Sequence, residues 1–255
     1  AVFHLAAVPS VEASIVDPIG TNEVNASGTL KLLEEAKLAD VKRFVYASSA
    51  AVYGNNPNLP LDETAIPNPL SPYAIDKLIG EYYVDLYHRT SNLTGLTLRF
   101  FNVYGPRQNP ESPYSGVISI FADRLRKAQP VTVFGDGEQT RDFIFVKDLA
   151  EILAASLHGP VTTKCPVINV GVGKPTSINS LLVTLKHLTG NRDAHSYKPE
   201  RSGDIRHSLA NVSKLETYFP GMARTNIETG LRQTVAGLEE LSSRTRSDTG
   251  DKHAP

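Results

Sequence analysis

The sequence predicts an α/β protein built on a parallel sheet. Segments 41–49 (VKRFVYASS) and 96–101 (LTLRFF) have continuous apolar cores, which are typical of strands buried on both faces of a sheet. A segment with helical periodicity precedes the first of these strands, and another separates the two. Strands and helices that alternate with short connections build a right-handed parallel sheet covered by helices.

The predicted elements follow in a regular order. Residues 1–7 are apolar enough for a buried strand, and a helix is predicted from about 21 to 38. Ser71 and Pro72 begin the next helix, because serine caps the first free amides and proline is tolerated at the first helical position. Beyond the second strand, the pattern predicts helices at 116–128, 148–158 and 177–189 and strands at 131–134, 141–145 and 167–170.

Composition and charge exclude several classes of protein. The formal net charge of −1 offers no basic field to nucleic acid and no polybasic patch to a membrane surface. No apolar run reaches the length of a transmembrane helix. The single cysteine, Cys165, excludes a disulfide framework and a cysteine-based zinc site, and we expect it to be buried beside a strand. We therefore expect a cytoplasmic protein with no metal, no nucleic acid and no membrane partner.

Tyr73 and Lys77 are the first candidates for chemistry. They lie four residues apart in the helix that begins at Pro72, so their polar ends can project into the same cleft. A lysine ammonium near a phenol favours the phenolate, which makes tyrosine usable as a base near neutral pH. The same spacing also occurs on the exposed faces of ordinary amphipathic helices, so the pair alone does not assign a function.

Further segments give this pair a context. HLAA (4–7), SSAAVYG (48–54) and SPYAIDK (71–77) place serines, a tyrosine and a lysine at the carboxyl ends of neighbouring parallel strands, where open α/β sheets bind ligands. The later segments are LRFFNVYGPRQ (98–108), FGDGEQTRDFIFVKDLA (134–150), NVGVGKPTSI (169–178) and RSGDIRHSLANVSK (201–214). In this order the motifs resemble the extended short-chain dehydrogenase/reductases, specifically the NAD-dependent nucleotide-sugar epimerase/dehydratase family, up to about residue 241.

The resemblance implies a Rossmann-like doubly wound parallel sheet with a smaller α/β substrate-binding domain towards the C-terminus. Residues 1–101 and 139–172 would form a partial NAD-binding domain, interleaved with a nucleotide-sugar-binding domain from 102–138 and 173–241. Residues 242–255 contain almost no apolar side chains, so we expect a disordered tail.

The glycine fingerprint of the family, GxxGxxG after the first strand, does not occur in the sequence. Together with the strand-like start, this absence suggests a fragment in which the first strands of the fold lie upstream. The segment Gly171-Val172-Gly173 follows a strand and precedes a helix, so it could form a phosphate loop. We favour the alternative of a tight turn into a helix capped by Thr176 or Ser177.

The resemblance implies which residues of this chain have the family's catalytic and cofactor-binding roles. Tyr73 would be the general base, Lys77 would lower its pKa and bind the nicotinamide ribose of NAD, and Ser49 would hydrogen-bond the reacting hydroxyl. Ser48 is an assisting candidate on the cofactor side. Further cofactor contacts are implied for Leu5, Ala6, Ala7, Asn25 (in the segment NASGT) and Phe101, although an ordinary core phenylalanine would explain Phe101 equally well.

The substrate implied by the resemblance is a UDP-sugar. Asn102, Arg141 and Arg201 match positions that bind the diphosphate, a role that suits the bidentate hydrogen bonds of arginine. Val117 and Phe134 are candidates for the uridine pocket. Asp204 would orient the structure or the ribose, and Ser208 would close the hexose pocket.

The choice within the family follows from three small residues. Dehydratases carry an acidic pair where this chain has Ala50 and Ala51, and decarboxylating relatives hold a glutamate in the same segment. A bulky tyrosine at the position of Ser208 excludes N-acetyl groups in galactose epimerases, so serine leaves room for a 2-acetamido group.

We therefore predict an NAD-dependent 4-epimerase of UDP-GlcNAc/GalNAc, of UDP-Glc/Gal, or of both. The alternatives are another nucleotide-sugar dehydratase or reductase of the family, or an inactive fragment that lacks the glycine loop. The relatives pair two helices from each subunit, so we expect a homodimer through the helices at 21–38 and 72–90.

Overall fold

A parallel sheet forms the centre of the computed structural model, which describes residues 1–112, 115–159, 162–191, 195–200, 205–222 and 224–250. Among these residues the central sheet consists of β1 (Val2–His4), β2 (Arg43–Ser49), β3 (Thr94–Phe100) and β7 (Val167–Val170). The strands lie in the order β1-β2-β3-β7, and every neighbouring pair is parallel. The predicted parallel sheet is therefore confirmed.

The remaining described strands form two smaller sheets. These strands are β4 (Asn102–Tyr104), β5 (Val131–Phe134), β6 (Thr140–Phe145), β8 (Pro175–Ser177) and β9 (His195–Lys198). In one sheet β6 pairs in parallel with β4 and antiparallel with β8, and in the other β5 pairs in parallel with β9. The division of the chain into two interleaved domains stays a prediction.

The helices lie mostly where the apolar periodicity predicted them. In chain order they are α1 (Val11–Val16), α2 (Pro18–Asn22), α3 (Gly28–Leu38), α4 (Pro72–Thr90), α5 (Val117–Arg126), α6 (Val146–Ser156), α7 (Ile178–Thr189), α8 (Ser213–Tyr218) and α9 (Ile227–Gly250). A π turn (Glu23–Ser27) joins α2 to α3, so the helix predicted over 21–38 is present with one irregular turn. None of these helices in the described part of the chain combines the length and the apolar character that a membrane crossing needs.

Helices cover both faces of the central sheet, as in a doubly wound fold. Phe44 and Tyr46 of β2 pack in one apolar cluster with Leu33 of α3. Val45, which points to the opposite face, packs in another cluster with Ile152 of α6. Burial on both faces explains why this strand is a continuous apolar run rather than an alternating one.

Gly80 allows α4 to lie close to the sheet. A Cβ atom added at this position would be 2.2 Å from the hydroxyl oxygen of Tyr46, and Tyr46 is only 1% exposed. We expect Gly80→Ala to lower the free energy of unfolding by about 1–3 kcal/mol, because the overpacked helix and tyrosine must separate. Urea denaturation measures this change.

Gly28 offers a matched control for that substitution. Its added Cβ would meet its nearest neighbour, the carbonyl oxygen of Glu23, at 3.5 Å, which is an ordinary contact. Alanine has a higher helix propensity than glycine, so Gly28→Ala should be neutral or stabilising. Equal stability of the Gly28→Ala and Gly80→Ala proteins would contradict the proposed clash.

The prediction of a disordered tail over 242–255 is wrong for its first part. Helix α9 continues to Gly250, and residues 251–255 lie outside the described part of the chain. A polar segment lacks a reason to be buried, but it can still extend a helix that is already anchored upstream. Extension adds hydrogen bonds without a second nucleation cost, so the lack of apolar residues did not exclude a helix.

Candidate active site

The predicted catalytic residues meet in a cleft at the carboxyl ends of β2 and β3. The cleft has a volume of about 400 Å³, and Ser49, Tyr73 and Phe101 are among the residues that line it. A cleft of about 470 Å³ between α9 and the loop after β4 is larger, but it contains none of the predicted site residues. The chemistry of the side chains, and not the size of the cavity, therefore identifies the candidate site.

Local capping interactions fix the backbone on both sides of the cleft. Ser49, at the end of β2, accepts a hydrogen bond from the amide of Ala51 at 3.2 Å and so begins a 3₁₀ helix (Ala50–Tyr53). Ser71 caps α4 by accepting from the amide of Ala74 at 3.2 Å. These caps hold the strand end and the first helical turn, which carry Ser49 and Tyr73.

Tyr73 and Ser49 both line the cleft. Burial raises the pKa of Tyr73 above its ordinary value, and the hydrogen bond with Ser49 opposes part of that effect. This direction is opposite to the lowered pKa expected from the sequence. The effect of desolvation on the pKa of Tyr73 is therefore larger than the opposing effect of Ser49. Tyr73 needs additional positive charge nearby to ionise near neutral pH.

Lys77 lies deeper in the same site and is only 4% exposed. Its Nζ donates to the carbonyl oxygen of Ala47 at 2.7 Å and lies 5.1 Å from the ring centroid of Tyr46 and 6.0 Å from that of Tyr73. Burial lowers the pKa of Lys77 to about 8, and the nearby Asp76 carboxylate opposes this shift. An ammonium group with a pKa of about 8 is thus held beside the candidate base.

The residues predicted on the cofactor side divide into two groups. Leu5 and Ala6 are exposed directly after β1, and Ala7 is half-buried, so the backbone at this strand end is accessible. Asn25 is buried, and its amide accepts from the amide of Val8 at 2.8 Å and donates to the carbonyl oxygen of Val8 at 3.1 Å. The Asn25 side chain therefore holds the loop after β1 by hydrogen bonds to the backbone of Val8.

Ser48 also differs from the expected cofactor contact. It is buried, and its hydroxyl donates to the carboxylate of Glu81 on α4. Side chains alternate along a strand, so Ser48 and Ser49 lie on opposite faces of β2. The cofactor role of Ser48 stays a prediction.

The residues around this strand end fit NAD. The backbone of Leu5 and Ala6 is accessible, and the ammonium of Lys77 lies nearby. This ammonium has three hydrogen-bond donors, and among the described residues it donates to one acceptor, the carbonyl oxygen of Ala47. Phe101 is buried and packs against Tyr53 with ring centroids 6.5 Å apart, so it is both a core residue and part of the cleft wall. Lys77 would bind the ribose hydroxyls, and Phe101 would border the nicotinamide.

A second cavity, of about 270 Å³, adjoins the first on the substrate side. Val117 and Phe134 line the second cavity. Asn102 and Arg141 line both cavities, so an amide and a guanidinium lie where the two meet. Ser208 lies in the wall of the first cavity, where its amide donates to the carbonyl oxygen of Thr140 at 3.1 Å. Arg201 and Asp204, which the sequence predicted for the diphosphate and the ribose, lie outside the described residues.

Some residues of the cleft had not been predicted. Val11, Glu12 and Ile15 from the short helix α1 form one wall, and Ile205 and His207 contribute near Ser208. Their side chains carry no sequence motif that indicates a ligand. They reach the cleft because the chain turns directly after β1, which is a consequence of topology.

The Gly171–Gly173 segment forms a tight turn, which was the favoured alternative to a phosphate loop. The amides of Val172 and Gly173 donate to the buried carboxylate of Asp142 at 2.7 and 2.9 Å, so they are not available to a phosphate. Gly173 has a φ of +72°, and Ser177 caps α7 by accepting from the amide of Ser180 at 3.1 Å. The predicted turn and cap are confirmed.

Comparison with known proteins agrees with this geometry. Residues 1–171 match the model of the NAD dependent epimerase/dehydratase family. The UDP-glucose 4-epimerase of Mycolicibacterium smegmatis is 36% identical over 235 residues, which cover 92% of this chain and 74% of that protein.

Two solved structures are similar over most of the chain. The UDP-N-acetylglucosamine 4-epimerase from Methanobrevibacter ruminantium M1, in complex with UDP-N-acetylmuramic acid, has a TM-score of 0.89 and 38% identity, and the match covers 94% of this chain and 76% of that one. The UDP-glucose 4-epimerase of Thermotoga maritima with UDP-glucose has a TM-score of 0.90 and 36% identity, with coverage of 94% and 77%. The Rossmann-like fold is thereby confirmed, and this chain belongs to the NAD-dependent epimerase/dehydratase family.

Proposed function

We propose that the protein is an NAD-dependent 4-epimerase of UDP-hexoses. The observation that carries this proposal is the pair of adjoining cavities with Asn102 and Arg141 at their junction. A UDP-sugar has a sugar and a uridine joined by two phosphates, and this order matches a catalytic cavity, a junction with a guanidinium, and an apolar cavity. Tyr73 and Ser49 lie in the cavity that would receive the sugar.

The chain's own residues would perform the proton chemistry. Ser49 would hydrogen-bond the 4-hydroxyl of the sugar, and Tyr73 as phenolate would remove its proton. The Lys77 ammonium would stabilise the phenolate, which the burial of Tyr73 otherwise disfavours. When bound, NAD supplies the acceptor and later the donor of a hydride at C4. The 4-keto sugar would then rotate in the site and present its other face, after which Tyr73 would return the proton.

Substrate binding would use the junction and the second cavity. Arg141 can form bidentate charge-assisted hydrogen bonds with a diphosphate, and Asn102 can donate from its amide. Val117 and Phe134 would contact the uridine. Arg201 and Asp204 are retained as proposed diphosphate and ribose contacts on the resemblance alone.

Dehydration is the main competing reaction within the family. It requires an acid and a base near C5 and C6, and the positions after Ser49 are occupied by Ala50 and Ala51, which line the cleft. Among the described residues that line this cleft, Glu12 is the one carboxylate, and it comes from a different element. A 4-keto-6-deoxy product would therefore favour a role for Glu12 and contradict epimerisation.

We further propose that two copies of the chain associate through the helices at 21–38 and 72–90. Val24, Ile75, Tyr82 and Leu86 are large apolar side chains that remain exposed on these segments, and Tyr82 is 65% exposed. Burying such side chains against a second copy would be favourable. Light scattering of the protein tests this proposal, and a monomeric mass would contradict it.

Product analysis tests the proposed reaction. The protein is incubated with NAD and separately with UDP-glucose, UDP-galactose, UDP-GlcNAc and UDP-GalNAc, and the nucleotide sugars are separated by chromatography. We expect interconversion of at least one C4-epimeric pair with no net change in mass. Loss of water, loss of carbon dioxide or net oxidation would assign a different reaction, and no turnover of any of the four sugars would reject the proposal.

Ser208 gives a prediction about the preferred sugar. The residue is nearly buried in the wall of the sugar cavity, so a tyrosine there would fill space that a 2-acetamido group needs. We expect Ser208→Tyr to lower kcat/KM for the acetylated sugars by at least about 10-fold relative to the non-acetylated sugars. Ser208→Ala is the matched control, because it removes the hydroxyl without adding bulk. If the wild type uses only non-acetylated sugars and Ser208→Tyr changes nothing, the predicted specificity is wrong.

A further inference from the structure

A buried ion pair lies directly behind the candidate catalytic residues. Arg99 of β3 donates from Nε to Glu81 Oε1 at 2.9 Å and from Nη2 to Glu81 Oε2 at 2.7 Å. Both side chains are 5% exposed. Charged groups are rarely buried to this extent unless they are paired in such a bidentate geometry, and the desolvation cost makes the pair weak evidence for stability alone. The ion pair therefore calls for an explanation other than stability.

The ion pair connects the two elements that carry the reacting groups. Glu81 follows Tyr73 and Lys77 at intervals of four residues, so all three lie on the same face of α4. Glu81 also accepts a hydrogen bond from Ser48, the residue directly before Ser49. In the sheet, Ser48 is the register partner of Arg99. The ion pair thus joins α4 to β2 and β3 one residue away from Ser49.

The same ion pair supports the turn that follows Ser49. The guanidinium of Arg99 lies 4.7 Å from the ring centroid of Tyr53, which is in the 3₁₀ helix after Ser49. The hydroxyl of Tyr53 donates to Asn169 of β7 at 2.6 Å. Ser49 is therefore held on both sides, by Ser48 before it and by Tyr53 after it, and both contacts lead to Arg99 and Glu81.

We propose that Glu81 and Arg99 are positioning residues that set the separation of Ser49 and Tyr73. This inference rests on the proposed function, because the separation matters only if these two side chains act on one substrate hydroxyl. An ion pair suits this task better than apolar packing does. Its two parallel hydrogen bonds fix direction as well as distance, whereas apolar side chains tolerate sliding.

Kinetics of Glu81→Gln test the proposal. This substitution keeps the shape of the side chain but places an amide NH₂ against the guanidinium, so one of the two parallel hydrogen bonds is lost. We expect kcat for epimerisation to fall by roughly 10–100-fold, because displacements of about 1 Å at a reacting centre have effects of this size. KM for the UDP-sugar should stay within about 3-fold of the wild type. UDP recognition lies at the junction and the second cavity, so KM should hardly change.

A second readout needs neither substrate nor turnover. Tyrosines labelled with ¹³C at Cζ are titrated by NMR, and the resonance of Tyr73 is assigned by its absence from Tyr73→Phe. The hydrogen bond from Ser49 opposes the raised pKa of Tyr73, so a misaligned Ser49 should move the titration of Tyr73 to higher pH in Glu81→Gln. Chemical titration of this one phenol distinguishes alignment from general loss of stability.

Asp148 supplies the matched control. Its carboxylate is also buried, and it accepts from the amide and the hydroxyl of Thr225, each at 2.7 Å, away from the cleft. Asp148→Asn should lower the unfolding midpoint as Glu81→Gln does, but leave kcat and the Tyr73 titration unchanged. If Glu81→Gln behaves in the same way as Asp148→Asn, the ion pair is structural and the proposal is wrong.

Two milder substitutions cover the case in which Glu81→Gln does not fold. Arg99→Lys keeps the charge but removes the bidentate fork, and Ser48→Ala removes only the hydroxyl that links Glu81 to β2. We expect kcat to fall about 3–10-fold in both variants, and we expect Tyr73 to titrate at higher pH than in the wild type. Unchanged kcat and titration in both would overturn the inference. A wild type that epimerises no UDP-sugar would reject the proposed function instead, and the Tyr73 titration would still decide whether the ion pair sets the geometry.

Discussion

Replacing Tyr73 with phenylalanine is expected to lower kcat for epimerisation by about 10²–10⁴-fold, the usual contribution of a general acid–base group. Tyr73 is the one phenol among the described residues that line the cleft, so its loss removes the proposed base and leaves the cavity in place. Substrate binding should persist, because the proposed diphosphate and uridine contacts are elsewhere. Steady-state kinetics together with calorimetric titration of UDP measure the two effects separately.

Tyr82→Phe is the control for that substitution. Tyr82 is on the same helix, on the face proposed to meet a second copy and away from the cleft. Phenylalanine keeps its apolar ring, so loss of the hydroxyl should leave kcat unchanged. Loss of this one hydroxyl should destabilise Tyr73→Phe by no more than about 1.5 kcal/mol, the net contribution of a typical hydrogen bond. Retention of more than about a tenth of the activity by a folded Tyr73→Phe protein would exclude Tyr73 as the base.

Replacing Lys77 with methionine is expected to reduce activity and increase stability. The loss of the ammonium beside Tyr73 should lower kcat by about 10²–10³-fold, the range seen when a single electrostatic stabiliser is removed. In the folded protein, burial lowers the pKa of Lys77 to about 8 from its ordinary 10.5, so burying the charge costs about 3 kcal/mol. Methionine avoids this cost but leaves the carbonyl of Ala47 without its donor, so the net gain near neutral pH should be about 1–2 kcal/mol.

The pH dependence of that gain has a definite sign. Below about pH 8, Lys77 is charged in both the folded and the unfolded protein, so the wild type bears the full cost of burial. Between about pH 8 and 10.5 the unfolded state binds more protons than the folded state, so the stability of the wild type rises with pH. The stability advantage of Lys77→Met should therefore fall by about 3 kcal/mol across this window and change sign, so that the wild type becomes the more stable protein at its upper end. Urea denaturation of both proteins at pH 7 and pH 10 measures it, and a constant difference would show that Lys77 is not buried as a cation.

Much of the fold could be predicted because local and tertiary preferences agree in the central strands. The apolar runs of β2 and β3 require burial on both faces, and Ser71 and Pro72 specify the start of α4. Once these elements are placed, the meeting of Ser49 and Tyr73 follows from the rule that ligands bind at the carboxyl ends of parallel strands. The core of the site was therefore predictable from sequence.

The roles of Asn25 and Ser48 could not be predicted in the same way. A motif gives the position of a side chain along the chain, but it does not show which neighbour satisfies its hydrogen bonds. Asn25 is used by the backbone of Val8, and Ser48 by Glu81, because buried polar groups must find partners in the core. Glu12 enters the cleft through the path of the chain after β1, for which the residue pattern gives no signal.

The fate of a deuterium at C4 tests the proposed mechanism most directly. The protein with NAD is incubated with a UDP-hexose deuterated at C4, and both epimers are recovered and examined by NMR and mass spectrometry. A hydride that leaves C4 and returns to it, while Tyr73 moves only the hydroxyl proton, predicts full retention of deuterium at C4 in both epimers and no incorporation from solvent. Loss of the label to water, or its appearance at C6, would contradict 4-epimerisation at the Ser49–Tyr73–Lys77 site.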